Sequence, residues 1–404
     1  MNLIRYIENK VKILGTSPEA IDLAEDRVRF SSLLKEMKIP HPEWGEAKSY
    51  DEALLIVKKI GYPVMLRPSY VLGGRAMEIA FTDEEVKKYI IRATEVTPEH
   101  PVLIDKFLEE ALEVDVDCIC DGEDVFIAPL MEHIEKAGIH SGDSACVTPP
   151  ISLSEEIKKR IKDCVSQLAL KIGVKGLMNV QCALKDDIVY ILEVNPRASR
   201  TVPFISKVID IPMAKIATKI MLGRKLKEFD LDYSQDDYCV KEVVLPFLRF
   251  SGVDPVLGPE MKSTGEVMGR ADNFPHAFYK AQVASGNTIA REGKILVSLN
   301  DESKERSVSL MKRYVEDYEI YATPGTADFL HEKGVAAEKV QKIGKGKCDV
   351  EYIIKNKDIS LIINTPSGKK AYSDGYWIRR WAYENQIPLI TTIAAAEALI
   401  KESH

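Results

Sequence analysis

The sequence predicts an α+β domain with an antiparallel sheet, followed by a small α/β domain with a parallel sheet. Two patterns lead to this prediction. In the longer first part, short strand-like runs follow one another through tight turns such as Asp186-Asp187, with amphipathic helices between them. In the last part, strand-like and helical runs alternate, which is typical of a parallel sheet. We therefore expect two domains, at residues 1–287 and 288–404.

The first helices are predicted from their start signals and their apolar periodicity. A helical stretch at residues 3–10 and a short apolar strand at residues 11–14 are expected to open the chain. Ser17 then suits an N-cap and Pro18 suits the first helical position, so a helix is expected from there to about Met37. The same reasoning predicts further helices at residues 50–60, 84–95 and 154–172.

The strands of the first domain are predicted from short apolar runs that end at glycine, proline or acidic residues. They are expected at residues 62–66, 77–80, 102–107, 113–120, 125–133, 176–184 and 189–195. In the second domain, strands are expected at residues 295–299, 319–322 and 359–364. Helices are expected there at residues 304–318, 327–333 and 394–403.

Composition excludes several classes of protein. The formal net charge of −7 and pI near 5.7 argue against a nucleic-acid-binding surface, which needs a basic face. No apolar run is long enough to span a bilayer and the start lacks a signal sequence, so we expect a cytoplasmic protein without a membrane partner. The 7 cysteines form no C-x-x-C pair, which predicts free thiols rather than disulfides or structural zinc.

A candidate phosphate-binding loop runs from Arg67 to Arg75 between two predicted strands. Gly73 and Gly74 would let backbone N–H groups approach phosphate oxygens, and the flanking arginines would neutralise charge. A glycine pair alone is more often only a hairpin turn. The neighbouring Arg67 and the carboxylates further along the chain favour the functional interpretation.

A candidate metal site combines Gln181 with the alternating residues Glu193, Asn195 and Arg197. Residues spaced by two share one face of an extended segment. Carboxylate and amide oxygens suit a hard divalent cation, and nucleotide phosphates would complete its octahedron. Arg197 and Arg200 would face the transferring phosphate. A solvated strand face is the alternative, which we disfavour because the neighbouring residues look buried and Glu193 would then need a partner.

Two further segments are candidate nucleotide contacts. Lys106, Leu108 and Glu113 leave a predicted strand, where backbone groups can meet an adenine edge and a carboxylate can accept from ribose hydroxyls. By itself this signal is weak. A second loop of small polar residues suits a phosphate cover, although a lone loop histidine is more often without function. Its candidate residues are Gly138, Ile139, His140 and Ser141.

Together these stretches resemble the large chain of carbamoyl-phosphate synthetase, specifically its C-terminal half. The matching strings are GTSPEAIDLAEDR, RPSYVLGGRAMEI, HSGDSA, GLMNVQ and EVNPRASRTVPF, followed by KEVVLPF, GVDP, LGPEM and STGEVMG. The resemblance covers essentially the whole chain. It implies an ATP-grasp domain, with a remnant of a preceding α/β domain at 1–16, and then a small methylglyoxal-synthase-like allosteric domain.

The resemblance also implies an activity and its partners. The activity is the ATP-dependent phosphorylation of carbamate to carbamoyl phosphate, for arginine and pyrimidine biosynthesis. Only one ATP-grasp unit is present, so we expect a companion chain with the first ATP-grasp half to supply carboxyphosphate. A glutamine amidotransferase small subunit is expected to supply ammonia.

The family's site residues carry over by position. Arg27, Arg67, Gly73 and Gly74 would contact phosphates, and Lys106, Leu108 and Glu113 would hold adenine and ribose. Residues 138–141 would line the nucleotide, and Gln181, Glu193 and Asn195 would bind Mg²⁺ or Mn²⁺. The resemblance places Arg197 and Arg200 beside carbamate and the phosphoryl group, with Asn195 also in the catalytic set.

In the tail, the resemblance implies a site for the phosphate of a nucleotide effector. Its residues would be Thr323, Thr326, Lys342, Asn364, Thr365, Ser367 and Gly368. Pro324 and Pro366 depart from the family pattern in these loops, which leaves the effector's identity open.

Two other functions remain open at this stage. One is another ATP-grasp carboxylate–amine ligase, such as a purine-biosynthesis ligase or biotin carboxylase, whose ATP and metal sites would look alike. The other is a regulatory subunit that binds nucleotide without turnover. The intact Gln181, Glu193, Asn195 and Arg197 favour catalysis.

Overall fold

A computed structural model describes residues 10–68, 76–96, 101–135, 137–249, 254–346, 348–365 and 374–400. Four predicted site residues, Gly73, Gly74, Ser367 and Gly368, lie outside this part, as does most of the helix expected at residues 3–10. The chain divides into two compact units. The first comprises Met1–Gly142, Cys146–Asp236 and Gly258–Met261, and the second comprises Asp143–Ala145, Asp237–Leu257 and Lys262–His404.

The first unit begins with two helices where the sequence predicted one. Helix α1 spans Pro18–Glu25 and helix α2 spans Arg27–Glu36. The prediction of a single helix was wrong because Asp26 has an extended backbone, and its carboxylate caps α2 by accepting from the Arg29 N–H. Residues 11–14 do not form the predicted strand: no strand of the described chain pairs with them, and Val11 and Leu14 are exposed.

A four-stranded antiparallel sheet follows, in the spatial order β1-β4-β2-β3. Its strands are β1 (Trp44–Ala47), β2 (Val64–Pro68), β3 (Glu78–Ala80) and β4 (Val102–Lys106). Helices α3 (Tyr50–Ile60) and α4 (Asp83–Val96) are the elements between its strands in sequence. Val57 of α3 packs with Leu66 and Ile104 in one apolar cluster, which fixes this helix on the sheet.

The second sheet of this unit carries the candidate site. Its strands are β5 (Leu112–Cys120), β6 (Val125–Ile127), β7 (Met131–His133), β8 (Cys146–Thr148), β9 (Gly176–Lys185) and β10 (Ile188–Asn195). They lie in the order β10-β9-β5-β7-β8, with β6 paired to β5. The single strand predicted at 125–133 is thus two strands, β6 and β7. The pairings among these strands are antiparallel, as predicted.

Alternation along β5 gives this sheet one apolar face and one polar face. Val114, Val116 and Cys118 pack in a core cluster with Ile161 and Leu168. The last two belong to helix α5 (Glu155–Ile172), which was predicted at 154–172. The residues that alternate with them in β5, Glu113, Asp115 and Asp117, therefore point to the opposite face. Helices α6 (Val202–Val208) and α7 (Met213–Met221) complete the unit.

The tight turn predicted at Asp186-Asp187 is confirmed. It joins β9 to β10, and both residues have positive φ values of 51° and 59°. Two consecutive residues in the left-handed region are the signature of a type I′ hairpin, whose twist matches that of the strands. The turn fixes the register in which β10 meets β9.

The second unit begins, after residues 143–145, with an antiparallel strand pair and a helix, and continues as an α/β layer. The pair is β11 (Tyr238–Val244) and β12 (Gly265–Ala271), and the helix is α8 (Phe274–Ser285). None of these three was predicted. The predicted boundary after residue 287 would assign them to the first domain, whereas the division into compact units groups them with the tail; the boundary stays a prediction.

The tail forms the predicted parallel sheet. Its strands are β13 (Gly293–Ser298), β14 (Tyr318–Ala322), β15 (Glu338–Lys339), β16 (Ile359–Asn364) and β17 (Leu389–Ile390), in the order β15-β14-β13-β16-β17. Its helices are α9 (Asp301–Asp317), α10 (Pro324–Glu332), α11 (Val350–Asn356), α12 (Asp374–Glu384) and α13 (Ile393–Ile400). Every pairing in this sheet is parallel. None of the helices in the described residues is both long and apolar enough to cross a bilayer.

Gly269 allows β12 to lie directly against α8. A Cβ atom at this position would be 2.0 Å from the Ala277 carbonyl oxygen and 2.5 Å from the Ala281 nitrogen. Both are backbone atoms of a helix, so they cannot move aside as a side-chain tip can. We predict that Gly269→Ala lowers the free energy of unfolding by about 1–3 kcal/mol through overpacking.

Gly265→Ala in the same strand is the matched control. Its Cβ would lie 3.6 Å from Val244 Cβ, an ordinary contact. Urea unfolding followed by circular dichroism compares the two variants. Equal stability of Gly269→Ala and Gly265→Ala would contradict the predicted close approach.

Candidate functional site

Two rows of polar residues cross the polar face of the second sheet of the first unit. In the strand register, Gln181 of β9 is paired with Asp115 of β5 and with Glu193 of β10. One step along, Asn179 is paired in the same way with Asp117 and Asn195 (again on β5 and β10). The strands thus bring together all three predicted metal ligands.

A β-bulge in β10 places Glu193 and Asn195 on this face. Ile191 is paired with Cys182 on the apolar side, and the register shifts between Ile191 and Glu193. Without this shift, Glu193 would point to the same side as Ile191, into the core. The sequence argument that Glu193 lies in a buried run was therefore wrong: the residue is exposed, and it needs no buried partner.

Two of the predicted metal ligands and one predicted catalytic arginine form a hydrogen-bonded chain. Asn195 Nδ2 donates to Glu193 Oε1 at 2.9 Å, and Arg197 Nη2 donates to Asn195 Oδ1 at 3.0 Å. Glu193 and Asn195 thus present oxygens beside a guanidinium. Together with the half-buried Gln181, this donor set suits Mg²⁺ or Mn²⁺, which prefer oxygen ligands.

Two predicted phosphate-binding arginines converge on one carboxylate. Arg27 Nη2 lies 2.5 Å from Asp105 Oδ1, and Arg67 Nε lies 3.0 Å from Asp105 Oδ2. Burial lowers the pKa of Arg27, and the charge of Asp105 opposes this effect. Asp105 therefore holds two like charges side by side. Sequence reasoning missed this residue, because one aspartate in an apolar strand carries no motif.

Asp117 anchors the segment that carries the predicted catalytic arginines. Its carboxylate, which is fully buried, accepts hydrogen bonds from Ser199 Oγ at 2.7 Å, Thr201 Oγ1 at 2.6 Å and Asn179 Nδ2 at 3.1 Å. Burial raises the pKa of Asp117 to about 6, against the opposing effect of these donors. Sequence reasoning missed Asp117 also. The hydroxyl residues flanking Arg200 were the available signal.

Glu113 lies at the end of the same polar face. Its Oε1 accepts from the Gly138 N–H at 3.2 Å, and its Oε2 lies 3.5 Å from His133 Nδ1. Burial raises the pKa of Glu113 to about 7, although His133 opposes the shift. Gly138 is required for this approach: its φ is +99°, and a Cβ there would lie 2.9 Å from the Phe107 ring. Two predicted nucleotide contacts are thus in direct contact.

Lys106 is the last residue of β4, and Leu108 lies in the segment that leads from there to β5. The Lys106 ammonium donates to the carbonyl oxygens of Gly61 and Tyr62, at 3.2 and 2.7 Å. The Leu108 carbonyl accepts from the Ala111 N–H at 3.2 Å, closing a turn before β5. The predicted roles of Lys106 and Leu108 at adenine stay predictions.

The predicted covering loop is tied to the segment at 258–261. The His140 N–H donates to the Gly258 carbonyl at 2.8 Å, and the Gly142 N–H donates to His140 Nδ1 at 2.9 Å. Arg200 Nη1 lies 2.9 Å from Met261 Sδ. Ile139 and Ser141, both half-buried, complete the loop.

The described effector candidates gather at the carboxyl edge of the parallel sheet in the second unit. Thr326 Oγ1 accepts from the Leu299 N–H at 3.0 Å, and Thr365 Oγ1 accepts from the Asn300 N–H at 2.9 Å. Both N–H groups follow β13. Thr323 and Asn364 lie at the ends of β14 and β16, and Lys342 follows β15. Anions commonly bind at this edge of a parallel sheet.

Comparison with known protein families gives two matches. Residues 26–229 match the carbamoyl-phosphate synthase L chain ATP-binding domain, and residues 307–391 match the MGS-like domain. A carbamoyl phosphate synthase large chain from Archaeoglobus fulgidus is 51% identical over 99% of this chain. The chain spans 38% of that relative's length.

A second relative is closer to this chain in length. The C-terminal section of the carbamoyl phosphate synthase large chain from Methanocaldococcus jannaschii is 50% identical, covering 99% of this chain and 67% of its own length. Among solved structures, the biotin carboxylase domain of Hydrogenobacter thermophilus 2-oxoglutarate carboxylase, in complex with MgADP, ADP and bicarbonate, has a TM-score of 0.58 at 19% identity. It covers 70% of each chain. The predicted ATP-grasp fold and methylglyoxal-synthase-like domain are confirmed.

The raised pKa of Asp117 gives a testable pH dependence. Because its folded-state pKa of about 6 exceeds the ordinary value of 3.8, the native state binds the extra proton, and stability falls as pH rises from about 4 to about 6. Above pH 6 the raised pKa lowers the free energy of unfolding by its full amount, up to about 3 kcal/mol. We predict that the difference in stability between Asp117→Asn, which removes this titration, and wild type shifts in favour of the variant as pH rises through that range.

Asp121→Asn is the control of opposite sign. Burial acts to raise the pKa of Asp121, but backbone N–H donors from Asp124, Leu226 and Glu123 lower it overall. The stability that the Asp121 carboxylate contributes is lost only as pH falls below the ordinary pKa of aspartate. The difference in stability between Asp121→Asn and wild type should therefore stay constant between pH 4.5 and 7. Denaturation midpoints at several pH values test both. A pH-independent difference for Asp117→Asn would contradict the shifted pKa.

Proposed function

The chain belongs to the carbamoyl phosphate synthase large chain family, and from that premise we propose that it phosphorylates carbamate with ATP to form carbamoyl phosphate. The observation that carries the proposal is the polar sheet face on which Gln181, Glu193 and Asn195 lie together, with Arg197 bonded to Asn195. An oxygen-rich cation site next to a guanidinium is the arrangement that phosphoryl transfer requires.

Gln181, Glu193 and Asn195 would hold a divalent cation, Mg²⁺ or Mn²⁺, which neutralises charge on the nucleotide phosphates when bound. The residues of this chain contribute by positioning the arginines that would face the transferring phosphoryl group. Asp117 holds Ser199 and Thr201, and with them the segment between Arg197 and Arg200, so both arginines start from a fixed backbone. Preorganised guanidinium groups stabilise the charge that spreads over the transferring phosphoryl group.

Arg27 and Arg67 would bind nucleotide phosphates, together with Gly73 and Gly74. Since Asp105 already orients both guanidinium groups, little reorganisation is needed when phosphate arrives. Lys106, Leu108 and Glu113 would hold adenine and ribose. The contact between Glu113 and Gly138 supports a role for the loop 138–141 in covering the nucleotide.

The partners follow from the same proposal. Phosphorylation of carbamate needs carbamate, which forms from carboxyphosphate and ammonia. We assign the first ATP-grasp half to a companion chain and ammonia supply to a glutamine amidotransferase small subunit. These assignments rest on the family, because this chain spans 38% of the Archaeoglobus fulgidus relative.

The identity pattern argues against another ATP-grasp ligase. Relatives from the carbamoyl phosphate synthase family are about half identical to this chain, whereas the biotin carboxylase domain shares only the fold at 19% identity. A regulatory subunit without turnover remains the second candidate, and the reverse reaction separates it from the first.

We predict that the isolated chain makes ATP from ADP and carbamoyl phosphate, and that Glu193→Gln lowers this rate by at least about 100-fold at saturating Mg²⁺. The loss would reflect a missing anionic ligand to the cation, worth ~3 kcal/mol in the transition state. The fold should survive, since Glu193 is exposed. A luciferase assay of ATP measures the rate.

Asp187→Asn, a carboxylate-to-amide change at the tip of the same hairpin, is the matched control and should keep full activity. Normal activity of Glu193→Gln would show that the metal assignment is wrong. A wild-type chain that binds ADP but makes no ATP would favour the regulatory subunit.

We further propose that the parallel-sheet domain binds a nucleoside monophosphate, most simply a pyrimidine one. Lys342 is exposed at the carboxyl edge of the sheet and would supply charge, while Thr323 and Thr326 would supply hydroxyl donors. A helix, α10, begins between them at Pro324, so its N-terminus also favours an anion.

We predict that calorimetry detects binding of uridine or inosine monophosphate, and that Lys342→Ala weakens it by about 10-fold or more, as expected for a charged hydrogen bond worth about 1.5–3 kcal/mol. The effector should change ADP affinity reciprocally, with a coupling of about 1–3 kcal/mol. Lys345→Ala, an exposed lysine in the following turn, is the control. No heat from either nucleotide with a folded domain would make this tail purely structural.

A further inference from the structure

Three different metal-ligand types meet inside the first unit. His133 and Cys146 face each other across the β7–β8 pair, and His133 Nε2 lies 3.1 Å from Asp115 Oδ2. One donor atom from each of the three residues lies within 4.8 Å of the other two. All three side chains are buried. They come from three separate strands, so no sequence spacing reveals the cluster.

The donor set differs in chemistry from the oxygen site on β9 and β10. Magnesium prefers carboxylate, carbonyl and water oxygens, whereas a thiolate and an imidazole select zinc-like transition metals. One carboxylate, one imidazole and one thiolate are the donors of a tetrahedral site that keeps its fourth position for water. We propose that Asp115, His133 and Cys146 bind a thiophilic divalent cation of the Zn²⁺ class, at a site separate from that of the nucleotide's cation.

A carboxylate that could support the metal-bound histidine is already in place. If the metal binds the Nε2 edge of His133, the opposite Nδ1 faces Glu113 Oε2 at 3.5 Å. Glu113 is itself held by the Gly138 N–H. A carboxylate behind a metal-bound histidine fixes the ring and raises its basicity. Binding would release the thiol proton of Cys146 to solvent, because the thiolate is the ligand.

Through His133, Glu113 would connect the cation to the nucleotide contacts. Glu113 and Gly138 are the residues that we assign to ribose and to the covering loop. A cation on His133 would therefore tighten the position of Glu113. The geometry of the Asp115, His133 and Cys146 cluster does not depend on the proposed nucleotide site. Metal binding to it can be measured without nucleotide and without turnover.

Cobalt titration of the full chain tests the proposal. The host is Cys348→Ala, which removes an exposed thiol that could bind metal at the surface. With Mg²⁺ in excess, Co²⁺ should give a thiolate-to-cobalt charge-transfer band that saturates at a single ion per chain, and Zn²⁺ should abolish the band by displacement. Cys146→Ala in this host should lose the band, whereas Cys182→Ala, which removes another buried thiol, should keep it.

The affinity for Co²⁺ in a second ligand variant gives an independent measurement. Asp115→Asn keeps the side-chain volume but removes the anionic donor, so Co²⁺ affinity should fall at least about 10-fold. Circular dichroism checks each variant for folding. If Cys146→Ala does not fold, Asp115→Asn decides: weaker binding supports the site, and unchanged affinity overturns it.

Two results with folded protein would overturn the proposal directly. One is the absence of a charge-transfer band in the Cys348→Ala host at millimolar Co²⁺. The other is a band that persists in Cys146→Ala. Neither result would affect the carbamate assignment, whose assay uses Mg²⁺ and ATP formation.

Discussion

The arrangement of the first unit depends on the buried carboxylate of Asp117. It receives donors from β9 through Asn179 and from the segment after β10 through Ser199 and Thr201. Burial alone would favour the neutral acid, and its pKa is raised to about 6. A buried carboxylate is tolerated where all its hydrogen bonds are formed. A buried oxygen without a donor costs more free energy than one ordinary hydrogen bond contributes. Completing them requires the loop with Arg197 and Arg200 to adopt one conformation.

The polar face around Asp117 is produced by two simple rules of strand geometry. Period-two alternation in β5 sends valines and cysteine to helix α5 and carboxylates to the other side. The bulge in β10 then turns Glu193 and Asn195 to that same side. Carboxylates on neighbouring strands repel one another unless cations lie among them. Arg27, whose pKa is influenced by both Asp105 and Glu193, supplies one such charge.

Most of the site could be predicted from the sequence because its residues stand in short local patterns. Gln181, Glu193 and Asn195 were predicted as one ligand set, and the register brings them together. Asp105 and Asp117 could not be predicted, since their partners are far away in sequence: Arg27 is 78 residues from Asp105, and Asn179, Ser199 and Thr201 are 62, 82 and 84 residues from Asp117. The break at Asp26 was missed for a different reason: the apolar period continues through it, and only the cap geometry ends the helix. The elements at 238–285 were missed because no clear apolar period marked them as strands or helix, although the family strings KEVVLPF and STGEVMG lie there.

In the parallel-sheet domain, Arg379 holds the predicted effector ligand Asn364 in one orientation. Asn364 Oδ1 accepts from Arg379 Nη1 at 2.9 Å, which turns the amide nitrogen of Asn364 toward the Ser298 carbonyl at 3.4 Å. The same guanidinium forms two hydrogen bonds with Asp254, through Nε at 3.1 Å and Nη2 at 2.8 Å. Arg379 is fully buried, so it cannot exchange these partners for water. A phosphate that draws Asn364 away from Ser298 must therefore move Arg379 and Asp254 with it, or leave a buried charge without a partner. For the effector site that we propose, this constraint favours Thr323 and Lys342 as direct ligands, and Asn364 as the residue through which binding would reach Arg379 and Asp254.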